Sequence, residues 1–333
     1  MDDKTNCPIC KVEVEASSFK EVYTSPYNNQ EYKRYECPNC DVHWWEPLKI
    51  IPEFYENEVF EGYDAFHERV GTRLGKNLKA FFKHLPSNVR GRLLDVGCGD
   101  GRFLRYAKEQ GFEVWGIDFD KKSVENVKRN LGIDTVFAMS LEEFYKYAKE
   151  KNLKFDVITF FEVLEHQDKP REFLEMVKGL LKEGGYIAGS VPDRESIFVE
   201  LLRYNRVDDY PPNHFLRFSK PSLEKALNFA GFKDIEIYEL DFTFVDLFPY
   251  LEKKLFGNLD KLKIKLKGMV LGDERKARVY AVEELAKVSP SKGKAYILMM
   301  LKLIKNAMLL PFALGYAGKL KGNGFSLYFQ AKI

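Results

Sequence analysis

Cysteine is scarce in this chain, with five among 333 residues. The N-terminus, Met1-Asp2-Asp3-Lys4, has no secretory leader pattern, so paired thiols point to metal rather than disulfides. An excess of charge is missing too. The 52 Lys and Arg against 50 Asp and Glu leave a net +2, which speaks against nucleic acid as a global partner. No uninterrupted apolar run reaches the roughly 20 residues of a membrane span. These absences lead to the expectation of a cytoplasmic protein. Hydrophobic content of 45% is ample for a core, and the length suits one large domain with additions, or two.

The cysteines that are present are organised. Four fall in two knuckles, Cys7-Pro8-Ile9-Cys10 and Cys37-Pro38-Asn39-Cys40. Each pair can grip one side of a tetrahedral zinc ion, and together they complete a closed, structural four-thiolate site. Redox chemistry is the alternative, but the pairing and the Pro after each first Cys favour a zinc ribbon over residues 1–50. Strand-like stretches, Phe19–Tyr23 and Tyr32–Tyr35, lie between the knuckles.

Leu93-Leu94-Asp95-Val96-Gly97-Cys98-Gly99-Asp100-Gly101 reads as an apolar strand that turns through three glycines into a helix. Glycines there let backbone approach a ligand, and the helix start aims unpaired N–H groups at the same place. A dinucleotide fingerprint needs a third glycine where Arg102 stands. The pattern is instead D-x-G-x-G-x-G, and Asp95 offers a carboxylate to a positively charged group. Downstream, Glu113–Asp118, Thr135–Ala138, Phe155–Phe161 and Tyr186–Pro192 read as further strands. Helical segments alternate with them, and Gly184-Gly185 reads as a helix stop before the last of these strands. Asp120 suits a helix N-cap.

The D-x-G-x-G-x-G run resembles the first motif of class I S-adenosylmethionine-dependent methyltransferases. The ribbon, followed by Trp44-Trp45-Glu46-Pro47 and Phe54-Tyr55-Glu56, resembles a subgroup that carries it ahead of the catalytic domain. Many of that subgroup are associated with glycan or lipid-linked glycan synthesis. The resemblance covers about residues 5–241 and 325–333. It implies an α/β, Rossmann-like seven-stranded sheet with its last strand antiparallel, over 51–241 plus 322–333. S-adenosyl-L-methionine is the implied cofactor. It would be held by Asp95, Gly97, Cys98, Gly99 and Gly101, by Asp118 on the ribose with Phe119 beside it, by Ser140 and Leu141 near the adenine, and by Phe161 and Glu162. Phe160-Phe161 would pack against cofactor or sheet.

The stretch Glu162-Val163-Leu164-Glu165-His166 follows the central strand, and His214 follows the fifth. A histidine there can take the proton of an acceptor held near the methyl group, so His166 and His214 are the catalytic candidates. Glu162, Glu165, His166 and His214 also offer a second divalent site for Mg2+ or Mn2+, and Glu-x-x-Glu-His resembles that of ubiquinone-biosynthesis O-methyltransferases. Hydrogen-bonded loop histidines and helix-capping acids are the competing reading. The expected acceptor is a small molecule, a glycan or a lipid-linked compound. RNA 2′-O-methylation and a degenerate, non-enzymatic scaffold are the alternatives.

Ser219 begins a helix that Gly231 stops, Ile235–Tyr238 reads as a sixth strand, and Phe325–Ala331 suits the seventh. About eighty residues, 242–321, separate the last two, too many for a loop in a compact domain. Their first part is lysine-rich. Ala295–Phe312 is then apolar except for a polar stripe at Lys302, Lys305 and Asn306. Such a helical insertion must bury its surface in the protein's own core, in a homodimer or in peripheral membrane contact.

Overall fold

The computed structural model describes residues 4–51, 74–196, 209–241, 247–256, 269, 292–317 and 324–333. Within it the chain forms two compact units, one containing residues 1–57, 70–240 and 324–333, the other 241–323 with a short earlier segment. The aromatic run at 54–56, and residues 64–73 of the helical stretch before the first sheet strand, lie outside the described residues.

In the first unit, β1 (Lys4–Asn6) and β2 (Glu13–Glu15) form a hairpin. β3 (Glu21–Thr24), β4 (Glu31–Glu36) and β5 (His43–Glu46) form an antiparallel meander. A helix follows, α1 (Lys76–His84). The alternating part then begins with β6 (Arg92–Val96), α2 (Arg102–Glu109), β7 (Glu113–Asp118), α3 (Lys121–Leu131), β8 (Val136–Ala138), α4 (Leu141–Glu150) and β9 (Phe155–Phe161). A short 3-10 turn, Leu164–His166, precedes α5 (Pro170–Leu180) and β10 (Leu181–Pro192). The unit is completed by β11 (Leu216–Arg217), α6 (Lys220–Phe229), β12 (Lys233–Glu239) and β13 (Ser326–Lys332).

Seven strands make one sheet in the order β12-β13-β10-β9-β6-β7-β8. β13 runs antiparallel to both neighbours, and the pairs β10/β9, β9/β6, β6/β7 and β7/β8 are parallel. The expected sheet with its antiparallel last strand is therefore present. The central strands are apolar on both faces because each face carries its own core. Leu93 and Val157 pack into one, Leu94, Ile158 and Phe160 into the other. Local chemistry starts the helices where anticipated. Asp120 accepts from the amides of Lys122 and Ser123, and Ser219 from that of Ser222.

Gly184-Gly185 does something other than stop a helix. α5 ends at Leu180, and β10 already pairs at Leu181↔Phe155 before its register shifts to Tyr186↔Val157. The two glycines lie in that bulge. Gly184 has φ +70°, and a Cβ on Gly185 would sit 2.9 Å from the Lys182 carbonyl. Both the turn and the close backbone approach need glycine.

The ribbon's sheet continues into the catalytic fold. β11 pairs with β5 at Leu216↔Trp44 and Arg217↔His43, giving the order β11-β5-β4-β3. Trp44 and Trp45 are fully buried, in a cluster that runs on to Phe160, Phe215 and Phe218. The second unit's described helices are α7 (Leu247–Phe256) and α8 (Lys292–Ala317).

Candidate active site

The glycine turn follows β6, and Gly97, Gly99 and Gly101 all have positive φ, at +76°, +49° and +71°. The amides of Gly97 and Cys98 both donate to the Ile117 carbonyl, tying the loop to the end of β7. A Cβ on Gly101 would lie 2.7 Å from Val127, so the turn packs against α3. A Cβ on Gly97 would lie 2.8 Å from Val163. The glycine loop therefore touches the turn that carries Glu162, Glu165 and His166. Gly101 is the N-cap of α2 and offers no side chain, and the Arg102 amide that follows donates to Asp100 Oδ1 at 3.0 Å.

Asp95 is buried beneath the loop, and Thr159 Oγ1 donates to its Oδ1 at 2.7 Å. Burial pushes its carboxyl well above the usual range, and the acids Asp118 and Asp100 push it further. Asp118 closes β7. Its Oδ2 accepts from the Gly99 amide at 2.8 Å and its Oδ1 from Asp120 at 3.0 Å. A carboxylate with about four acceptor sites suits vicinal hydroxyls, which each donate one hydrogen bond. Phe119 beside it is half exposed. Cys98 is buried and packs near Gly116.

Ser140 is the N-cap of α4. Its hydroxyl accepts from the Glu143 amide and its own amide donates to the Glu143 carboxylate. Leu141 is buried behind it. Phe161 stands edge-on to Phe103, with centroids 4.8 Å apart, and Phe160 packs on Phe173 and Phe329.

Past β9, Glu162 takes the left-handed backbone, φ +55°. Its Oε1 accepts from Ser190 Oγ at 2.7 Å, and Asn77 in turn donates to that hydroxyl. Donor atoms of Glu165, His166 and His214 all lie within 4.8 Å of one another, while Glu162 stands outside that set of three. His166 Nδ1 is 2.6 Å from the Asn213 carbonyl, to which it donates, and its Nε2 is 3.9 Å from Glu165 Oε1. His214 Nδ1 is 3.4 Å from Asp209 Oδ1, which selects the same tautomer. Glu165 is 1% exposed, and neither carboxylate oxygen has a hydrogen-bond partner among the described residues. Burial drives its carboxyl well above the ordinary range and the nearby Glu162 adds to this. Burial and His214 together lower His166 to about 3. Glu165, His166 and His214 thus bring together one carboxylate and two imidazoles, a set that could hold a metal ion.

Several participants carried no sequence signal. Asp209 is buried and bridges His214 to Arg217, whose Nη2 is 3.1 Å from its Oδ2. Arg217 is stacked over Trp45 and Tyr210, and Tyr210 donates to Glu21 of β3. Trp45 of the ribbon and Tyr210 thus hold the arginine behind the histidine. Only the pairing of β11 with β5 brings these distant residues together.

The two cysteine knuckles are near copies. In each, the fifth residue (Lys11 or Asp41) has φ +63° and donates to the first cysteine's carbonyl. Cys7 Sγ lies 3.5 Å from Cys40 Sγ, and Cys10 Sγ 3.4 Å from Cys37 Sγ. A tetrahedral zinc with its usual bond length separates thiolates by about 3.8 Å, close to this arrangement.

Residues 66–237, just over half the chain, match the family of methyltransferase domains. The chain belongs to the class I S-adenosylmethionine-dependent methyltransferases. This methyltransferase is 27% identical to a ubiquinone biosynthesis O-methyltransferase of Idiomarina loihiensis, over 65% of this chain and 85% of that one. A ubiquinone biosynthesis O-methyltransferase of Nitrosospira multiformis is 30% identical over 60% and 80%. An S-adenosylmethionine-dependent methyltransferase structure from Archaeoglobus fulgidus is similar at 19% identity, covering 81% of this chain and 99% of that chain, with a TM-score of 0.46.

Proposed function

We propose that the methyltransferase methylates a hydroxyl of a small-molecule, glycan or lipid-linked acceptor, held between the glycine loop and the Glu165–His166–His214 cluster. The observation that carries this is the contact of Gly97 with Val163. It sets the cofactor loop against the turn bearing the cluster, so donor and acceptor would share one rim. The names of the O-methyltransferase relatives support transfer to oxygen.

S-adenosylmethionine, when bound, supplies a methyl carbon on a positive sulfur, which the acceptor oxygen displaces in line. The chain's own residues would do the rest. Backbone at Gly97–Gly101 and the start of α2 receive the cofactor, Asp118 accepts its ribose hydroxyls, and the Asp95 carboxyl would ionise only when the cofactor's ammonium lies beside it. Phe119, Phe161 and Leu141 provide apolar contact. His166 Nε2 and His214 Nε2 face the acceptor, where either can take the proton that leaves as the C–O bond forms.

The unpartnered Glu165 carboxylate beside two imidazoles fits a divalent cation. Such an ion would polarise the acceptor hydroxyl. Two nitrogen donors and one carboxylate suit Mn2+ or Zn2+ better than Mg2+, which prefers oxygen. Glu162, held by Ser190, would serve the cofactor side. The four cysteines of the ribbon would hold a structural zinc ion.

The test is transfer of tritiated methyl from S-adenosylmethionine to lipid, glycan, small phenolic and RNA fractions, with and without Mn2+. Label in a hydroxyl-bearing fraction, lost in His214→Ala, is expected. Label confined to RNA would replace this reading.

A further inference from the structure

α8 presents an unusual surface. Of the eighteen large apolar side chains exposed among the described residues, ten lie on this helix, between Ile297 and Leu314, at 37% to 68% exposure. At 100° per residue they fill one continuous arc of about 220° and run roughly 25 Å along the axis. Met299, Leu303, Ile304, Met308, Phe312 and Leu314 all belong to it. Lys302, Lys305 and Asn306 fall on the opposite arc, with the buried Leu309 and Ala313. There Lys305 donates to Glu252 of α7 at 2.7 Å. The polar stripe thus faces the neighbouring helix, and the apolar arc faces outward.

Charge along this end of the sequence is one-sided. Residues 285–333 contain eight lysines and no acid, so the remaining 284 residues carry a net −6 against the whole chain's +2. Lys292 and Lys294 stand at the first turn, and Lys319 and Lys321 just beyond the last.

We propose that α8 lies in the surface of an anionic lipid bilayer, its outward arc among the acyl chains and the surrounding lysines against acidic headgroups. A second copy of the chain fits this surface less well. One helix–helix seam covers a narrow stripe rather than an arc of about 220°, and pairing two copies would bring like-charged segments together. No helix among the described residues is long and apolar enough to cross a membrane, so α8 rests in one leaflet. The placement is independent of the reading of the active site.

Flotation of the full chain with vesicles tests this. With mixed phosphatidylglycerol–phosphatidylcholine vesicles the protein should float. With phosphatidylcholine alone, or in high salt, binding should fall roughly fivefold or more. The variant Leu303→Gln/Ile304→Gln/Met308→Gln should bind the anionic vesicles at least about tenfold more weakly. Its circular dichroism and S-adenosylmethionine affinity should match those of the parent, because the three side chains are exposed. No flotation of the parent protein would overturn the proposal, as would equal flotation of the variant. A concentration-dependent dimer that the variant abolishes would assign the surface to a second copy instead.

Discussion

Asp209 Oδ1 lies 3.4 Å from His214 Nδ1, and the same carboxylate holds Arg217. The acid therefore orients the ring and keeps the proton on Nδ1, which leaves Nε2 as the ring's acceptor atom. Asp209→Asn would lose the charge and let the ring turn. A fall of about 10–100-fold in kcat is expected, with S-adenosylmethionine affinity by calorimetry unchanged. Equal loss of cofactor affinity would mean that Asp209 only supports the fold.

Asp118 joins the cofactor loop to the end of β7 through the Gly99 amide. Asp118→Ala removes that bond and the acceptors offered to the ribose. Cofactor affinity should fall by roughly 100-fold or more, since hydrogen bonds to a charged group contribute about 1.5–3 kcal/mol each. Asp118→Asn, which keeps one acceptor, should fall between. Unchanged binding in the alanine variant would remove the ribose assignment.

Elemental analysis of the purified protein should give one zinc ion per chain, absent after Cys37→Ser/Cys40→Ser. β5 follows the second knuckle and pairs with β11, which begins two residues after His214. Loss of the ion should thus lower methyl transfer as well as melting temperature. A variant that keeps its zinc content, or full activity without zinc, counts against a structural ion.

The raised carboxyl of Asp95 sets a direction for stability with pH. Its ordinary value is 3.8, and burial holds it protonated in the folded state well above that. Between those two values the folded chain binds one more proton than the unfolded chain, so Asp95 contributes less stability as pH rises. Asp95→Asn keeps an acceptor for Thr159 and cannot ionise. In melting curves from pH 5 to 8 the variant should gain on the parent as pH rises. Parallel curves would show that Asp95 does not titrate differently on folding.

Strand ends, the glycine turn, the helix caps at Asp120 and Ser219 and both cysteine knuckles were legible because each depends on neighbours in the chain. Gly184-Gly185 misled because a helix stop and a strand bulge ask for the same residue. Ser140 reads from the sequence as lying near the adenine, and the structure adds that its hydroxyl and amide both engage Glu143 at the start of α4. Asp209, Arg217 and Ser190 had no legible role. Their work depends on partners brought near only when β11 meets β5 and β10 meets β9.

The pairing of β5 with β11 also orders events during synthesis. Residues 43–44 emerge early, but their partners at 216–217 are made only after most of the central sheet. Until then the edge of β5, with Trp44 and Trp45, has no neighbouring strand and its aromatics have no cover. An open apolar edge is an invitation to aggregation, and distant pairings form slowly. The nascent ribbon must therefore be tolerated half-finished, and a bound metal ion is what can hold it in shape while the rest of the chain arrives.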